Sequence, residues 1–428
     1  MPDVGIVDYD PLLPVEARRR VLTERDAFTL WFSLGIGLLV LQTGALLVPG
    51  LGFWAAMSAV VAGTVLGVGL LAAAGVVGAD TGLSAMSTLR PVLGARGAGL
   101  AAALNALQLL GWGAFEVIAM RDAGAALETR WFGVAHPALL TVGFGVAATW
   151  MAAAGPLSGV RRFLRSYGFG LVMVASVMLT GLLVLTPHLG AIAARRGDGT
   201  LSWAAGVDLI VALPISWLPL IADYTRFGRS TRAMGRGAFV GNALGNAWFC
   251  AMGAGFAFLA GGNAVLLPSM AAAIAGLPLL LILVDETENA FADIHSAAVS
   301  TGLMWRGAGV RTLSIAIGAV GTLLALALPL GNYEGFLILL GSVFAPLFGV
   351  LLADHFWVRR RHVDLLGLAR SGGPYWFTGG WRLTALFAWA AGVAVYHAVA
   401  TWWPEWGATM PSCLVAGALQ VALAPVRR

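Results

Sequence analysis

Charge is what this sequence has least of. Only 11% of its 428 residues are Asp, Glu, Lys or Arg, against about 25% in a soluble globular domain, so a soluble protein is excluded. Lysine is absent, and all 26 basic residues are Arg, which we read as codon bias rather than chemistry. The two cysteines, Cys250 and Cys413, lie in apolar stretches without CxxC spacing or a His partner. They imply small core residues and no disulfide framework. There is no GxxxxGK[ST], HExxH or GxSxG string and no metal-spaced Cys/His cluster, which argues against an ATP-driven pump on this chain and against an enzyme. Residues 1–26 lack an apolar cleavable core and read as a cytoplasmic tail, not a signal peptide.

What remains is apolar. Hydrophobic residues make up 59% of the chain and the mean hydropathy is +0.84. Runs of the roughly 20 residues that a bilayer requires recur at 27–49, 52–77, 97–120, 134–154, 167–187, 204–222, 236–261, 266–292, 312–330, 333–353, 382–403 and 408–425. They predict an all-α membrane protein of about twelve transmembrane helices. With the N-terminus inside, all but four of the Arg fall in cytoplasmic segments, Arg121, Arg130, Arg195 and Arg196 lying outside. That asymmetry predicts both termini in the cytoplasm. The net charge of +5 follows from those loops, and nucleic acid is not an expected partner. The longest polar loop, 354–381, is expected to be cytoplasmic and not a separate domain.

Against this background the run Asp285-Glu286-Thr287-Glu288 stands out, closing the apolar stretch 277–284. A carboxylate in hydrocarbon is costly and normally faces a cavity, a cation or a proton path. No Arg shares the span, so the counter-charge is expected from an ion, a proton or a substrate, and transport is the leading function. Asp285, Glu288 and Asn289 share one helical face by their spacing, with Glu286 about 100° away. The alternative is a helix that ends at Val284 with the acids in a cytoplasmic loop.

In the third span Trp112 and Glu116 are four residues apart, on one face. They suit a planar ligand, Trp112 by stacking and Glu116 by accepting ring N–H bonds; the alternative is a packing Trp and a carboxylate near the outer surface. Two spans carry interruptions of the kind that frame transporter sites. The first has Gly35, Gly37 and Gly44 around Gln42, and the sixth has Pro214 and Pro219, each of which removes a backbone donor. Asp293 and His295 are expected at the cytoplasmic interface, Asp80, Arg90, Asp223 and Arg226 as loop anchors, and Glu334 at an extracellular gate or on the surface.

The strings TGLSAMSTLRPVLGARGAGL, NALQLLGWGAFEV, SWLPLIADYTRFGR, GSVFAPLFGVLLADHFWVRRR and YWFTGGWRLTALFAWAAGVAVY resemble the nucleobase:cation symporter family. Within it they are most similar to the cytosine permease branch and its hydroxymethylpyrimidine transporters. The resemblance implies a leucine-transporter-like fold, a five-plus-five inverted repeat with two further C-terminal helices, and alternating access. On that basis 27–425 is one transmembrane domain, with repeats at 27–187 and 204–353, extra helices at 382–425, and cytoplasmic ends at 1–26 and 426–428.

It further implies import of a pyrimidine of the hydroxymethylpyrimidine or cytosine type across the cytoplasmic membrane, by a monomer, with Na+ or H+ as coupling ion and no other cofactor. Candidate substrate contacts are Trp112, Glu116, Gln42, Ser216, Trp217, Asn289 and Glu288; Gly37, Pro214 and Pro219 mark the helix breaks. The family's sodium site uses first-helix carbonyls, here near Leu34 to Leu38 and including Gly35 and Leu38, together with eighth-helix hydroxyls. Asp285 and Glu286 stand where those hydroxyls are expected, so either Na+ or a proton fits the pattern. A proton-coupled carrier of another amino-bearing or cationic solute, such as a thiamine precursor, is the alternative, with a channel or receptor more remote.

Overall fold

In hydrocarbon every backbone N–H and C=O must be paired within the segment, which leaves helices as the only local solution for these apolar runs. The computed structural model describes residues 13–154, 159–262, 266–305, 307–368, 370 and 372–424, without the side chains of 159–169, 285, 303 and 304. Residues 1–12 of the predicted N-terminal tail, the predicted C-terminal end 426–428 and the Asp285 side chain therefore lie outside the described residues.

The first predicted span is two helices, α1 (Glu24–Ser33) and α2 (Leu38–Ala45), bent by 62°. A capping box starts α1, with Thr23 Oγ1 accepting from the Asp26 amide and Asp26 Oδ2 from the Thr23 amide. Next come α3 (Phe53–Thr81), the single turns α4 (Ala85–Thr88) and α5 (Arg90–Leu93), α6 (Ala95–Phe132), α7 (Pro137–Ala154), α8 (Gly159–Val184) and the short α9 (Leu189–Ala193). The sixth span is α10 (Trp203–Ser216) followed by α11 (Leu218–Thr225), and α12 (Thr231–Ala260) is the seventh. Then follow α13 (Leu266–Ala272), α14 (Leu277–Met304), α15 (Val310–Ala327), α16 (Tyr333–Ala353), α17 (Leu383–Trp402) and α18 (Thr409–Ala422).

Among the described residues nine helices or helix pairs are long and apolar enough to cross a membrane, and the bent pair α1–α2 makes a tenth. Two shorter apolar helices, Gly170–Val184 and Thr409–Ala422, fall on the fifth and twelfth predicted spans. Helix α6 overshoots its predicted span by a dozen residues because hydropathy reads membrane thickness, not helix length. Its extension is held by Arg121, which donates to the carbonyls of Ala325 (2.9 Å) and Leu328 (3.4 Å). Helix α14 runs through Asp285–Glu288 to Met304, so the alternative in which the helix stops at Val284 is overturned.

The packing pairs repeat between halves. The first span packs on α12 as α10 and α11 pack on α3; α3 also packs on α12, α6 on α14 and α7 on α15. Exchanging spans one to five with six to ten maps this set onto itself. Helices α17 and α18 pack on α16, outside that exchange. Glycines on α12 let the broken span approach closely: a Cβ on Gly237, Gly241 or Gly253 would fall within 2.5 Å of the carbonyl oxygens of Glu24, Phe28 or Leu41.

On the side where the chain leaves α16, charges are paired. Asp354, fully buried, accepts from Arg359 Nε, Arg382 (2.6 Å) and Gln420 (2.7 Å). Asp80 accepts from Arg361 (2.6 and 2.7 Å) and Thr231 (3.0 Å), and lies 3.0 Å from His355 Nε2. Asp80 thus ties the 354–381 segment to the end of α3. Asp223 accepts from the Ala85 amide at 3.1 Å.

Candidate functional site

Gly37 is where the first span breaks. Its φ of 156° lies in a region that residues with a Cβ rarely adopt, and a Cβ there would stand 3.2 Å from Asn289 Nδ2 and 3.3 Å from both Glu286 carboxylate oxygens. Just past it the amides that open α2 have no partner within their own helix. The Leu38 amide donates to Glu286 Oε2 at 3.0 Å. A carboxylate at a helix N-terminus meets the positive end of the helix dipole.

Around this junction lies a cavity of about 30 Å³, lined by residues of the α1–α2 break, α6, α10, the Trp217 junction, α11 and α14. It has room for about two waters, so a ring-sized ligand requires its walls to part. Trp112 and Glu116 line it from α6, Ser216 and Trp217 from the sixth span, and Glu286, Asn289 and Asp293 from α14. Trp112 meets Tyr333 and Phe336 at steep angles, with centroids 5.9 and 5.4 Å away. Trp217 meets Trp31 edge-on at 6.4 Å.

The sixth span is interrupted more gently than the first. Pro214 lies inside α10 and Pro219 in the first turn of α11, yet α10 and α11 together count as one span. At the junction the Leu220 amide bonds the Trp217 carbonyl at 3.0 Å. The Ser216 carbonyl accepts instead from Gln108 Nε2 at 3.1 Å, and the Ser216 hydroxyl donates to the Leu213 carbonyl at 2.6 Å.

Several expectations change. The face of α14 turned to the cavity carries Glu286, Asn289 and Asp293; Glu288 does not line it, and the Asp285 side chain lies outside the described residues. Asp293 is 4% exposed and belongs to the cavity rather than to an interface. Gln42 is buried in α2 but does not line the cavity. Gly35 faces α12, where a Cβ would lie 3.0 Å from the Asn246 amide.

Leu38 contributes an N–H to a carboxylate, whereas sodium in such folds sits on unwound carbonyls and half-helix C-termini. The Thr287 hydroxyl donates to the Val284 carbonyl at 2.8 Å. Among the described residues there is no cluster of three His, Cys, Asp or Glu fit for a metal.

Glu334 is exposed and lines a second cavity of about 170 Å³ with Asp208 and Tyr396. Larger though it is, its chemistry is committed: Asp208 accepts from the Ala408 and Thr409 amides at the start of α18.

Residues the sequence reading passed over are Gln108, Asn105, Thr43 and Tyr333. Gln108 donates to Asn105 Oδ1 at 2.9 Å, and Tyr333 Oη lies 3.0 Å from Thr43 Oγ1 and 3.3 Å from the Leu39 carbonyl. A signal for Gln108 was present, since Gln108, Trp112 and Glu116 recur every four residues on one face.

A sequence profile of the family described as permeases for cytosine/purines, uracil, thiamine and allantoin matches residues 14–416. The chain belongs to this family. Within the set of known proteins it is 31% identical over 222 residues to the cytosine permease of Escherichia coli strain K12, a match covering 51% of this chain and 48% of the permease. It therefore matches about half the length of that relative. In three dimensions it is similar to Mhp1 in an inward-facing conformation, with a TM-score of 0.83 at 19% identity over 98% of this chain and 94% of that one.

It is also similar, with a TM-score of 0.79 at 20% identity over 97% and 94%, to Mhp1 in a closed conformation with bromovinylhydantoin bound, where Mhp1 is described as a nucleobase-cation-symport-1 family transporter. At these identities the likeness shows the fold, which is the leucine-transporter-like one the sequence implied. The family's members named here are permeases and transporters rather than enzymes, and the chain is a multi-pass membrane protein.

Proposed function

We propose that the chain is a secondary active transporter that imports a nucleobase-like pyrimidine, of the hydroxymethylpyrimidine or cytosine type, by symport with Na+ or H+ through alternating access. The observation that carries this is the central cavity, where two indoles, Trp112 and Trp217, meet Glu116 and Asn289 at the break of the first span. Indoles supply flat apolar surface for a heteroaromatic ring, and the polar side chains supply edge contacts. Family membership and the permease relative support the same reading. The Arg asymmetry supports a cytoplasmic-membrane location with both termini inside. The transporter is taken to work as a monomer.

A second reading, a proton-coupled carrier of another amino-bearing or cationic solute such as a thiamine precursor, is favoured by the three carboxyl groups in the cavity wall. The test is uptake of labelled hydroxymethyl-aminopyrimidine into proteoliposomes under an imposed sodium gradient, with a proton gradient in parallel and unlabelled cytosine as competitor. Accumulation under one gradient that cytosine suppresses establishes the transporter and names its ion. Folded protein that accumulates nothing under either gradient would overturn the pyrimidine reading.

A further inference from the structure

Among the described residues that line the central cavity, Asp293 is a carboxyl group without a partner. It is 4% exposed, and it makes no hydrogen bond and no ion pair. Glu116 and Glu286 differ, since each is the other's hydrogen-bond partner and Glu286 also accepts from the Leu38 amide. Asp293 stands two turns beyond Glu286 on α14. It looks across at α6, where a Cβ on Gly113 would lie 3.8 Å from the Asp293 Cβ. The titratable groups lining the wall with it are Glu116 from α6 and Glu286 from α14; the first span, α10 and α11 bring none. His295, two positions on, stacks on Phe291 with ring centroids 5.6 Å apart.

One turn further along α14 an apolar layer closes the cavity. Ala297 of α14, Leu109 of α6 and Leu220 of α11 pack together there, all buried, with Trp217 and Ile317 against them. Beyond the layer polar groups resume, and Asn105 Nδ2 donates to Ser300 Oγ at 3.4 Å. That is the side the Arg asymmetry assigns to the cytoplasm. A buried carboxylate with neither donor nor cation is too costly to keep, so such a group holds its proton instead, and contact with water restores its ionisation. We propose that Asp293 carries the coupling proton of this transporter and that the Leu109–Leu220–Ala297 layer is the barrier that governs its release. With the layer closed, Asp293 is a neutral acid. When α11 parts from α6 and α14, water reaches Asp293, its proton passes to that water, and the carboxylate stays ionised in a wetted cavity. Facing the other side of the membrane, it takes a proton from water again before the cavity closes. This rests on the reading of the central cavity as the transport site, and it chooses H+ from the two coupling ions named above.

Infrared spectroscopy and uptake by the purified full-length chain test it together. With isotope-labelled aspartate incorporated, the wild type at neutral pH should show a protonated aspartate carbonyl band that Asp293→Asn removes. In proteoliposomes with the interior more alkaline by about one pH unit, one proton per solute supports up to about tenfold accumulation of labelled hydroxymethyl-aminopyrimidine. Asp293→Asn, which binds no proton, should bring that ratio down to unity. Wild-type accumulation that follows a sodium gradient and ignores pH would overturn the inference. So would a folded Asn variant that retains the band or concentrates the solute as the parent does. If the wild type moves no solute under any gradient, the pyrimidine reading falls while the band still decides: its loss in the variant leaves this inference standing, and its absence from the wild type overturns it. Should Asp293→Asn not fold, Asp293→Glu takes its place and is expected to exchange the labelled band for an unlabelled one. A labelled band that stays would overturn the proposal.

Discussion

The Leu38 amide and the Glu286 carboxylate meet across 3.0 Å although 248 positions separate them in the chain. Their bond joins the first span, where it breaks, to the middle of the eighth. It also answers how a carboxylate sits at membrane depth with no basic partner among the described residues: the open end of a half-helix supplies a compensating N–H. The counter-charge that sequence alone expected from an ion, a proton or a substrate is in part the backbone itself.

Removing that acceptor should loosen the start of α2. Glu286→Ala is expected to speed hydrogen exchange of the peptide containing Leu38 and Leu39, while Glu286→Gln, which keeps a carbonyl oxygen, should largely preserve protection. The difference corresponds to an unsatisfied buried donor, about 1–3 kcal/mol. Unchanged exchange in the Ala variant, read by mass spectrometry, would show that the cap does not hold the helix.

Gly37 has two reasons to be glycine, its φ of 156° and the crowding by Asn289 and Glu286. Gly37→Ala is expected to strain the break by about 1–3 kcal/mol and to lower uptake in proteoliposomes along with the melting temperature. Gly69 makes the control: a Cβ there meets nothing within 4 Å, and Gly69→Ala should be neutral or stabilising by up to about 1 kcal/mol.

Gln108 holds the Ser216 carbonyl where the sixth span is interrupted. In Gln108→Leu that carbonyl loses its donor, at about 1–3 kcal/mol, and the junction at Trp217 should become more mobile. Quenching of Trp217 fluorescence in a variant background with fewer of the sixteen tryptophans would report this. Identical quenching in the Leu variant would argue that the bond is dispensable.

The buried and exposed ion pairs should behave differently. Asp354 is fully buried and shared by Arg359, Arg382 and Gln420, so Asp354→Ala should destabilise by about 3–5 kcal/mol through the unpaired charges left behind. Arg361, whose side chain is half exposed beside Asp80, should lose no more than about 1 kcal/mol on substitution by Ala. Thermal unfolding in detergent compares the two directly, and equal effects would contradict the assignment.

The α2–α12 contact tolerates no side chain at Gly253, where a Cβ would fall inside contact distance of the Leu41 carbonyl. Gly253→Ala is expected to cost about 1–3 kcal/mol by overpacking, visible as a lower melting temperature. A variant as stable as the parent would mean that the two helices separate without penalty.

The sequence by itself determined the helical class, the positions of the apolar spans and the break in the first of them. These depend on local facts: the bilayer forces each apolar run to satisfy its own backbone, and Gly35 and Gly37 weaken the helix where they stand. The pairing of Trp112 with Glu116 was legible for the same reason, since four-residue spacing fixes a shared face. Which face of α14 turns inward was not. Asp285, Glu286 and Glu288 are close neighbours in a helix, and only packing against α6 and the start of α2 decided that Glu286, Asn289 and Asp293 line the cavity.

Tertiary structure also decided what the break is used for. A glycine shows that a helix can open, but whether its free amides or its free carbonyls face a partner depends on a residue hundreds of positions away. The glycines of α12 were passed over in the same way, because a glycine in a membrane helix acquires meaning only from the backbone brought against it.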